Sequence, residues 1–256
     1  MNAAPLLSII TVCFNDLPGL IETEASIKNA TSPKTLFEWI VIDGNSSDGT
    51  KKFLTESPTI THFVTERDNG IYDAMNKGTN MAVGDFVIYM NSGDIFTSLD
   101  SILESLHLHN FDLLFYDARF IYGDYSRVRK AKDFTYITHG IPANHQAIAF
   151  KRSTLGPSPY DTTYKICGDY KLLADLYNKS LSHKVIHQVT AEFKVGGVST
   201  NRGLKLLNEA YNIQRKTLGI SFHTSALSYA RRAISITLTL IIHRLSNAKK
   251  RLSKSQ

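Results

Sequence analysis

Cysteine is scarce in this chain, two in 256 residues, Cys13 and Cys167. Two thiols cannot form a disulfide framework, which points to a core-stabilised domain in a reducing compartment. No Cys-His signature surrounds Cys167, so nothing marks it as a nucleophile. The amino terminus, MNAAPLLSIITV, lacks the basic stretch of a secretory signal, and its apolar run reads as a first strand. Aromatic residues and basic stripes are not interleaved and no RNA- or DNA-binding motif occurs, so no nucleic-acid partner is expected. A Gly-rich, Arg/Lys-bearing phosphate loop is missing after the first apolar run, where Val12-Cys13-Phe14-Asn15-Asp16 stands instead. That argues against a nucleotidyltransferase. Internal repeats and low-complexity tracts are absent apart from a polar tail.

Acidic residues are also missing from Ala226 onward, where seven Lys or Arg occur. With a net charge of +6 overall, the chain before Ala226 nets −1, so the basicity is local. Ile234, Leu238, Ile241, Ile242 and Leu245 fall on one helical face, with Arg231, Arg232, Arg244, Lys249, Lys250, Arg251 and Lys254 around or beyond it. This pattern describes a helix lying on an anionic membrane surface, its apolar core too short for the ~20 residues of a span. A helix packed on the domain, or a dimer contact, fits the same pattern, and the oligomeric state is not readable.

What is present is an α/β pattern. An apolar content of 43% in 256 residues suffices for one sizeable core. Leu6 to Phe14, Glu38 to Ile42 and Phe86 to Met90 are β-rich apolar runs, and Leu20 to Asn29, Thr50 to Glu56 and Ile71 to Ala82 read as helices between them. Strands alternating with helices predict a Rossmann-like, mostly parallel sheet flanked by helices, whose ligands bind beyond the carboxyl ends of the strands. Asp16, Asp43 and Asp94 each follow such an end and converge there. A carboxylate at that edge can hold a divalent cation against a diphosphate, or can serve only as a turn residue.

Four motifs in order, SIITVCFND, EWIVIDGNSSDGT, ERDNGIYDAMNKG and VGDFVIYMNSGD, resemble the family 2 glycosyltransferases of the GT-A fold. The likeness continues through HGIPANHQAIAF, YKICGDYKLLADL and EFKVGGVST, over roughly the first 200 residues, and is greatest to bacterial exopolysaccharide transferases of the colanic-acid and amylovoran clusters. The resemblance implies an inverting, metal-dependent transferase using a nucleotide-sugar donor, a UDP-sugar by preference, and a polyprenyl-diphosphate-linked saccharide acceptor. The expected place is the inner face of the cytoplasmic membrane, with the protein cytoplasmic and peripheral.

Carried over residue by residue, the resemblance implies that Asp43 accepts the N3–H of uracil while Val12, Phe14 and Asn15 frame the base, and that Asp73 touches the ribose or sugar. The metal motif is thinned to Asn91-Ser92-Gly93-Asp94, leaving Asp94 to hold Mg²⁺ or Mn²⁺, with Ser92 and Gly93 beside the diphosphate. His145 and Gln146 are candidates for the donor phosphates or the acceptor, and Arg202, after the Gly196-Gly197 loop, for neutralising phosphate in a closing lid. Asp169, at the start of a helix through Lys171 to Asn178, is implied as the general base. The expected organisation is a catalytic domain over residues 1–225, with a nucleotide-sugar half (1–110) and an acceptor half (111–225), followed by the basic segment 226–256. A catalytically silent nucleotide-sugar-binding scaffold is the alternative that the thinned metal motif favours.

Overall fold

The computed structural model of the chain describes residues 4–123, 125–195 and 203–234. Strand β1 (Leu7–Cys13) and strand β2 (Phe37–Asp43) are buried at every position. Neither shows the in-out alternation of a half-exposed strand, because helices cover both faces of the sheet. β1 pairs in parallel with β2 and with β4 (Phe86–Tyr89), and β2 in parallel with β3 (His62–Thr65). The intervening helices are α1 (Leu17–Lys28), α2 (Thr50–Glu56) and α3 (Ile71–Met81). α2 has the expected bounds, and α1 starts three residues earlier than expected because Asp16 caps it by accepting from the Gly19 N–H and Pro18 suits the first helical turn.

The second half of the chain extends the same sheet. After the short β5 (Ile95–Phe96) and helix α4 (Leu99–Leu108) come β6 (Leu113–Tyr122), β7 (Tyr125–Arg129) and β8 (Ile148–Lys151), then helix α5 (Gly168–Tyr177) and β9 (His183–Lys194). The strand order is β3-β2-β1-β4-β8-β6-β9-β5, with β7 paired to β6. β8 runs against both β4 and β6, so β6 and its parallel partner β9 point the same way as the first four strands, while β5, β7 and β8 run opposite. The fold is thus α/β with a curled, mostly parallel sheet between helices.

Alternate residues of the strands feed two cores. Ile10, Val12, Ile40, Ile42 and Tyr89 face α3 and α5, whereas Leu7, Ile9, Trp39, Val41 and Ile88 face α1, α2 and α4. Buried polar groups lock the register: Trp39 Nε1 donates to Thr11 Oγ1 at 2.9 Å, and Glu38 accepts from Ser8 Oγ at 2.6 Å and from the Val83 N–H at 2.8 Å. These pairs tie β1 to β2 and fix the turn that feeds β4. Helix α6 (Gly203–Asn212), a π-helical turn (Ile213–Thr217) and a helix through residues 222–234 close the face beside α5.

Of the basic segment, only its first turns are described. Arg232, one of the basic residues around the expected interfacial helix, is committed to protein: its guanidinium donates to the His139 carbonyl at 2.8 Å and lies over the Tyr170 ring. Ile234 is exposed, and the rest of the apolar face, Leu238 to Leu245, lies outside the described residues. Among the described residues no helix is long and apolar enough to cross a membrane.

Candidate active site

A cavity of about 690 Å³ opens at the carboxyl ends of β1 and β4. Its walls come from the turn after β1, the first turns of α3, the Asn91–Asp94 turn, the 144–146 loop and the start of α5. Of the sequence-predicted residues, Val12, Phe14, Ser92, Asp94, His145, Gln146 and Asp169 all line it. Residues from distant parts of the chain therefore share one wall-to-wall space.

Asp94 ends the turn that follows β4, where Gly93 takes a positive φ of 86°. Only 5% of Asp94 is exposed, and burial pushes its carboxyl up to about 7, against the Gln146 side chain and the nearby charge of Lys194. Gln146 Nε2 donates to Asp94 Oδ2 at 2.7 Å, and Asn144 Nδ2 donates to Gln146 Oε1 at 2.7 Å. This amide relay fixes the carboxylate's orientation from a loop 52 residues away in sequence. Ser92 Oγ donates to Asp16 Oδ2 at 2.8 Å, which brings a second carboxylate to the same wall.

Whether these residues suit a divalent cation is decided by their oxygens. The Asn91 Oδ1 is buried without a hydrogen-bond partner, and Asn91 lines the cavity beside Asp94 and Asp16. A carboxylate, an orphaned amide oxygen and a second carboxylate are the hard donors that Mg²⁺ and Mn²⁺ take, with substrate phosphates and waters completing the shell. Among the described residues no group of three or more His, Cys, Asp or Glu side chains forms a metal cage. The residues present fit a cation shared with a ligand.

Asp169 sits in the first turn of α5 rather than ahead of it: the helix begins at Gly168, earlier than the expected Lys171 start, with Cys167 as N-cap. Burial pushes the Asp169 carboxyl up to about 6, while the Tyr170 N–H (2.8 Å) and the charge of Arg129 pull it back. Its placement depends on two residues that sequence reasoning missed. Glu209 of α6 accepts the N–H groups of Lys165, Ile166 and Cys167 at 2.9–3.0 Å and so holds the approach to α5. Tyr72 of α3 packs so closely that a Cβ at Gly168 would lie 2.6 Å from its ring, and its hydroxyl donates to the Ile166 carbonyl at 2.7 Å. Neither contact has a local sequence signal, since the partners are 42 or more residues apart.

His145 is buried among Tyr89, Phe150 and Tyr160, stacked on Tyr89 with ring centroids 5.1 Å apart. Burial pushes its pKa down to about 4, which keeps the ring neutral near pH 7. Its Nε2 shares a 3.0 Å hydrogen bond with Tyr160 Oη, and its Nδ1 has no partner.

Three predicted residues are placed elsewhere. Asp43 is fully buried and spends both oxygens on Ser46, and Asn15 bonds Ser46 and Ser47 across the same turn. Asp73 accepts from the Asn69 N–H at 2.9 Å and pairs with Lys77. None of the three lines the cavity, whereas Asp68 does, beside Phe14 and close to Gly44. In the sequence Asp68 is legible only as turn chemistry in ERDNG. Arg202 and the Gly196 to Asn201 loop lie outside the described residues.

The family model "Glycosyl transferase family 2" matches residues 8–173, which include both Asp94 and Asp169. The chain belongs to the family 2 glycosyltransferases. A PGL/p-HBAD biosynthesis glycosyltransferase of Mycobacterium bovis is 26% identical over 213 residues, 77% of this chain and 80% of that protein. An uncharacterized glycosyltransferase of Mycobacterium tuberculosis is 38% identical over 107 residues, and that match spans 41% of this chain and only 40% of the relative's length. Among solved structures, Staphylococcus aureus TarS 1–349 superposes with a TM-score of 0.68 at 15% identity, over 91% of this chain and 73% of that one. The Pyrobaculum calidifontis mannosyltransferase PcManGT, solved with GDP-Man and Mn²⁺, superposes with a TM-score of 0.61 at 15% identity, over 95% and 80%. These superpositions establish the GT-A fold.

Proposed function

We propose that this family 2 member is an inverting glycosyltransferase that moves a sugar from a nucleotide-sugar, preferably a UDP-sugar, to a polyprenyl-diphosphate-linked saccharide in colanic-acid-like exopolysaccharide assembly. One observation carries the reading: Asp94 and Asp169 share a single cavity and are the two carboxylates in it that burial pushes up, to about 7 and about 6. Perturbed acids paired in a cleft are the pattern of a reaction site rather than of turn chemistry. Solved TarS complexes with UDP and with UDP-GlcNAc, and the GDP-Man complex of PcManGT, support a nucleotide-sugar as the donor class.

In this reading Phe14 and Asp68 border the base and ribose, and Asp94, Asn91 and Asp16 hold the cation. Bound Mg²⁺ or Mn²⁺ supplies charge neutralisation for the donor diphosphate. The neutral His145 ring, sharing a hydrogen bond with Tyr160, forms part of the wall beside Gln146. Asp169 accepts the proton of the acceptor hydroxyl as that oxygen bonds the anomeric carbon; the bond from that carbon to the diphosphate oxygen breaks, and the nucleoside diphosphate leaves with the electron pair. A single displacement of this kind inverts the anomeric centre. The acceptor half, 111–225, and attachment of the 226–256 segment to the inner face of the membrane belong to the same proposal.

The test is calorimetric titration of UDP- and GDP-sugars with Mn²⁺ and with EDTA, followed by product analysis with lipid-linked acceptors. Metal-dependent binding of one donor and an inverted product support the proposal. Donor binding without product from any acceptor would move the reading to a silent scaffold subunit, which the thinned Asn91-Ser92-Gly93-Asp94 motif favours.

A further inference from the structure

The largest exposed aromatic surface on the described strands lies on the β6–β7 hairpin, next to the cavity-lining Phe193 of β9. Tyr122 is 45% and Tyr125 61% exposed, and their ring centroids are 6.0 Å apart. These two residues face each other across the hairpin, as do Phe120 and Arg127, and Phe120 is also paired with Phe193 of β9. Cross-strand partners share a face of the sheet, so Phe193, Phe120 and Arg127 form one row and Tyr122 and Tyr125 the next. Phe193 and its neighbour Lys194 line the cavity, and the Phe120 and Phe193 rings are 5.4 Å apart. At the other end of β7, the charge of Arg129 acts on Asp169. The hairpin therefore meets the cavity through the Phe120–Phe193 contact.

We propose that this hairpin is the acceptor platform, with Tyr122 and Tyr125 stacking on the sugar and Arg127, on the same face, pairing with the diphosphate of a prenyl-diphosphate-linked saccharide. The proposal rests on the glycosyltransferase reading and places its second substrate. Flat, solvated aromatic faces suit the C–H faces of pyranose rings, and Arg127 on the same face of β7 offers a cation for an anionic group. A second copy of the chain fits the surface poorly. Among the described residues β7 pairs only with β6, and a free edge carrying this cation would meet the same cation on a partner strand.

The experiment uses the full chain with UDP and Mn²⁺ and titrates farnesyl-diphosphate-linked glucose, galactose and glucuronic acid calorimetrically. Farnesyl diphosphate alone and the matching sugar 1-phosphates serve as arms that separate lipid diphosphate from sugar recognition. The joint Tyr122→Ala and Tyr125→Ala variant is expected to weaken the preferred probe by ~10-fold or more, the joint Phe variant to bind within about twofold, and Arg127→Ala to weaken every diphosphate probe. Retention by the Phe variant separates loss of stacking from damage to the hairpin. Equal affinity of the Ala variant and the parent overturns the platform, and so does failure of the parent to bind any of these probes. The transferase reading falls separately, if no nucleotide-sugar binds the parent protein in a parallel donor titration.

Discussion

Two sets of carboxylates behave oppositely in this molecule. Asp48 and Asp100, at the turn before α2 and in the first turn of α4, are held below the ordinary carboxylate range, Asp48 chiefly by the Thr50 hydroxyl and Asp100 by Ser32 and Thr31. Asp94 and Asp169 are pushed above it by burial. The first set spends its charge on neighbouring backbone and hydroxyl groups, which stabilises turns and helix starts. The second keeps its charge expensive and open to a ligand. The two sets differ in direction of shift, and the proposal assigns reactive roles only to the set that burial raises.

The largest expected effect comes from removing the proposed base. Asp169→Asn should lower turnover by roughly 10² or more while leaving donor affinity in place, the scale of general-base catalysis. The parent's kcat/KM should rise with pH through a limb near 6, because Asp169 must be ionised to accept a proton. That limb should vanish in the variant's residual rate. A pH–rate profile with the limb intact after Asp169→Asn would assign the base elsewhere.

Asp94 gives the complementary test on the folded state itself. Its carboxyl binds a proton more tightly folded than unfolded, so in metal-free protein its contribution to stability falls as pH rises from about 4 through about 7. Asp94→Asn should then stabilise the EDTA-treated protein at pH 8 by about 2–4 kcal/mol and at pH 5 by much less, since a tenfold difference in proton affinity between the two states is worth about 1.4 kcal/mol. Thermal melts at the two pH values measure this, and equal melting shifts would deny the burial cost. The same substitution should weaken Mn²⁺-dependent donor binding, which is the reversal expected of a residue whose charge serves a ligand.

Only one side of this contrast is legible in the sequence. β1, β2, α2, α3 and β4 stand out as continuous apolar runs or amphipathic stretches between Asx- and Gly-rich turns, because strands buried on both faces need no alternation. Asp94 and Asp169 are legible through motif position. How each is held cannot be read there. The Gln146 amide reaches Asp94 from 52 residues away, and Glu209 holds the α5 approach from 42 or more, through side chains whose types suggest a surface. Asp43 and Asp73 carry the same residue type as Asp94 and Asp169, and only the three-dimensional partner of each, Ser46 or the Asn69 N–H, shows what its carboxylate holds in this structure.

Gly168 packs on Tyr72 beside the proposed base, and its replacement sharpens the comparison at intermediate cost. A methyl there would lie 2.6 Å from the Tyr72 ring, which is itself tethered to the Ile166 carbonyl. Gly168→Ala should cost about 1–3 kcal/mol by overpacking and should lower kcat more than donor affinity, because the displaced element carries Asp169 and not the donor wall. A fully active, fully stable Ala variant would mean that α5 shifts freely and that Tyr72 does not position the base.

The smallest effect separates two neighbouring aspartates of the ERDNGIYD stretch. Asp68 lines the cavity, accepts from the Gly70 N–H at 2.9 Å and approaches Gly44, whereas Asp73 turns back to the Asn69 N–H and Lys77. If carboxylate direction decides which one meets the donor, Asp68→Asn should weaken nucleotide-sugar binding by about tenfold, the order of one charge-assisted hydrogen bond. Asp73→Asn, which can still accept the Asn69 bond, should change it by less than about twofold. The opposite ranking in a calorimetric titration would return the ribose contact to Asp73, and it would require the first turn of α3 to rearrange when donor binds, since nothing in the present geometry turns that carboxylate inward.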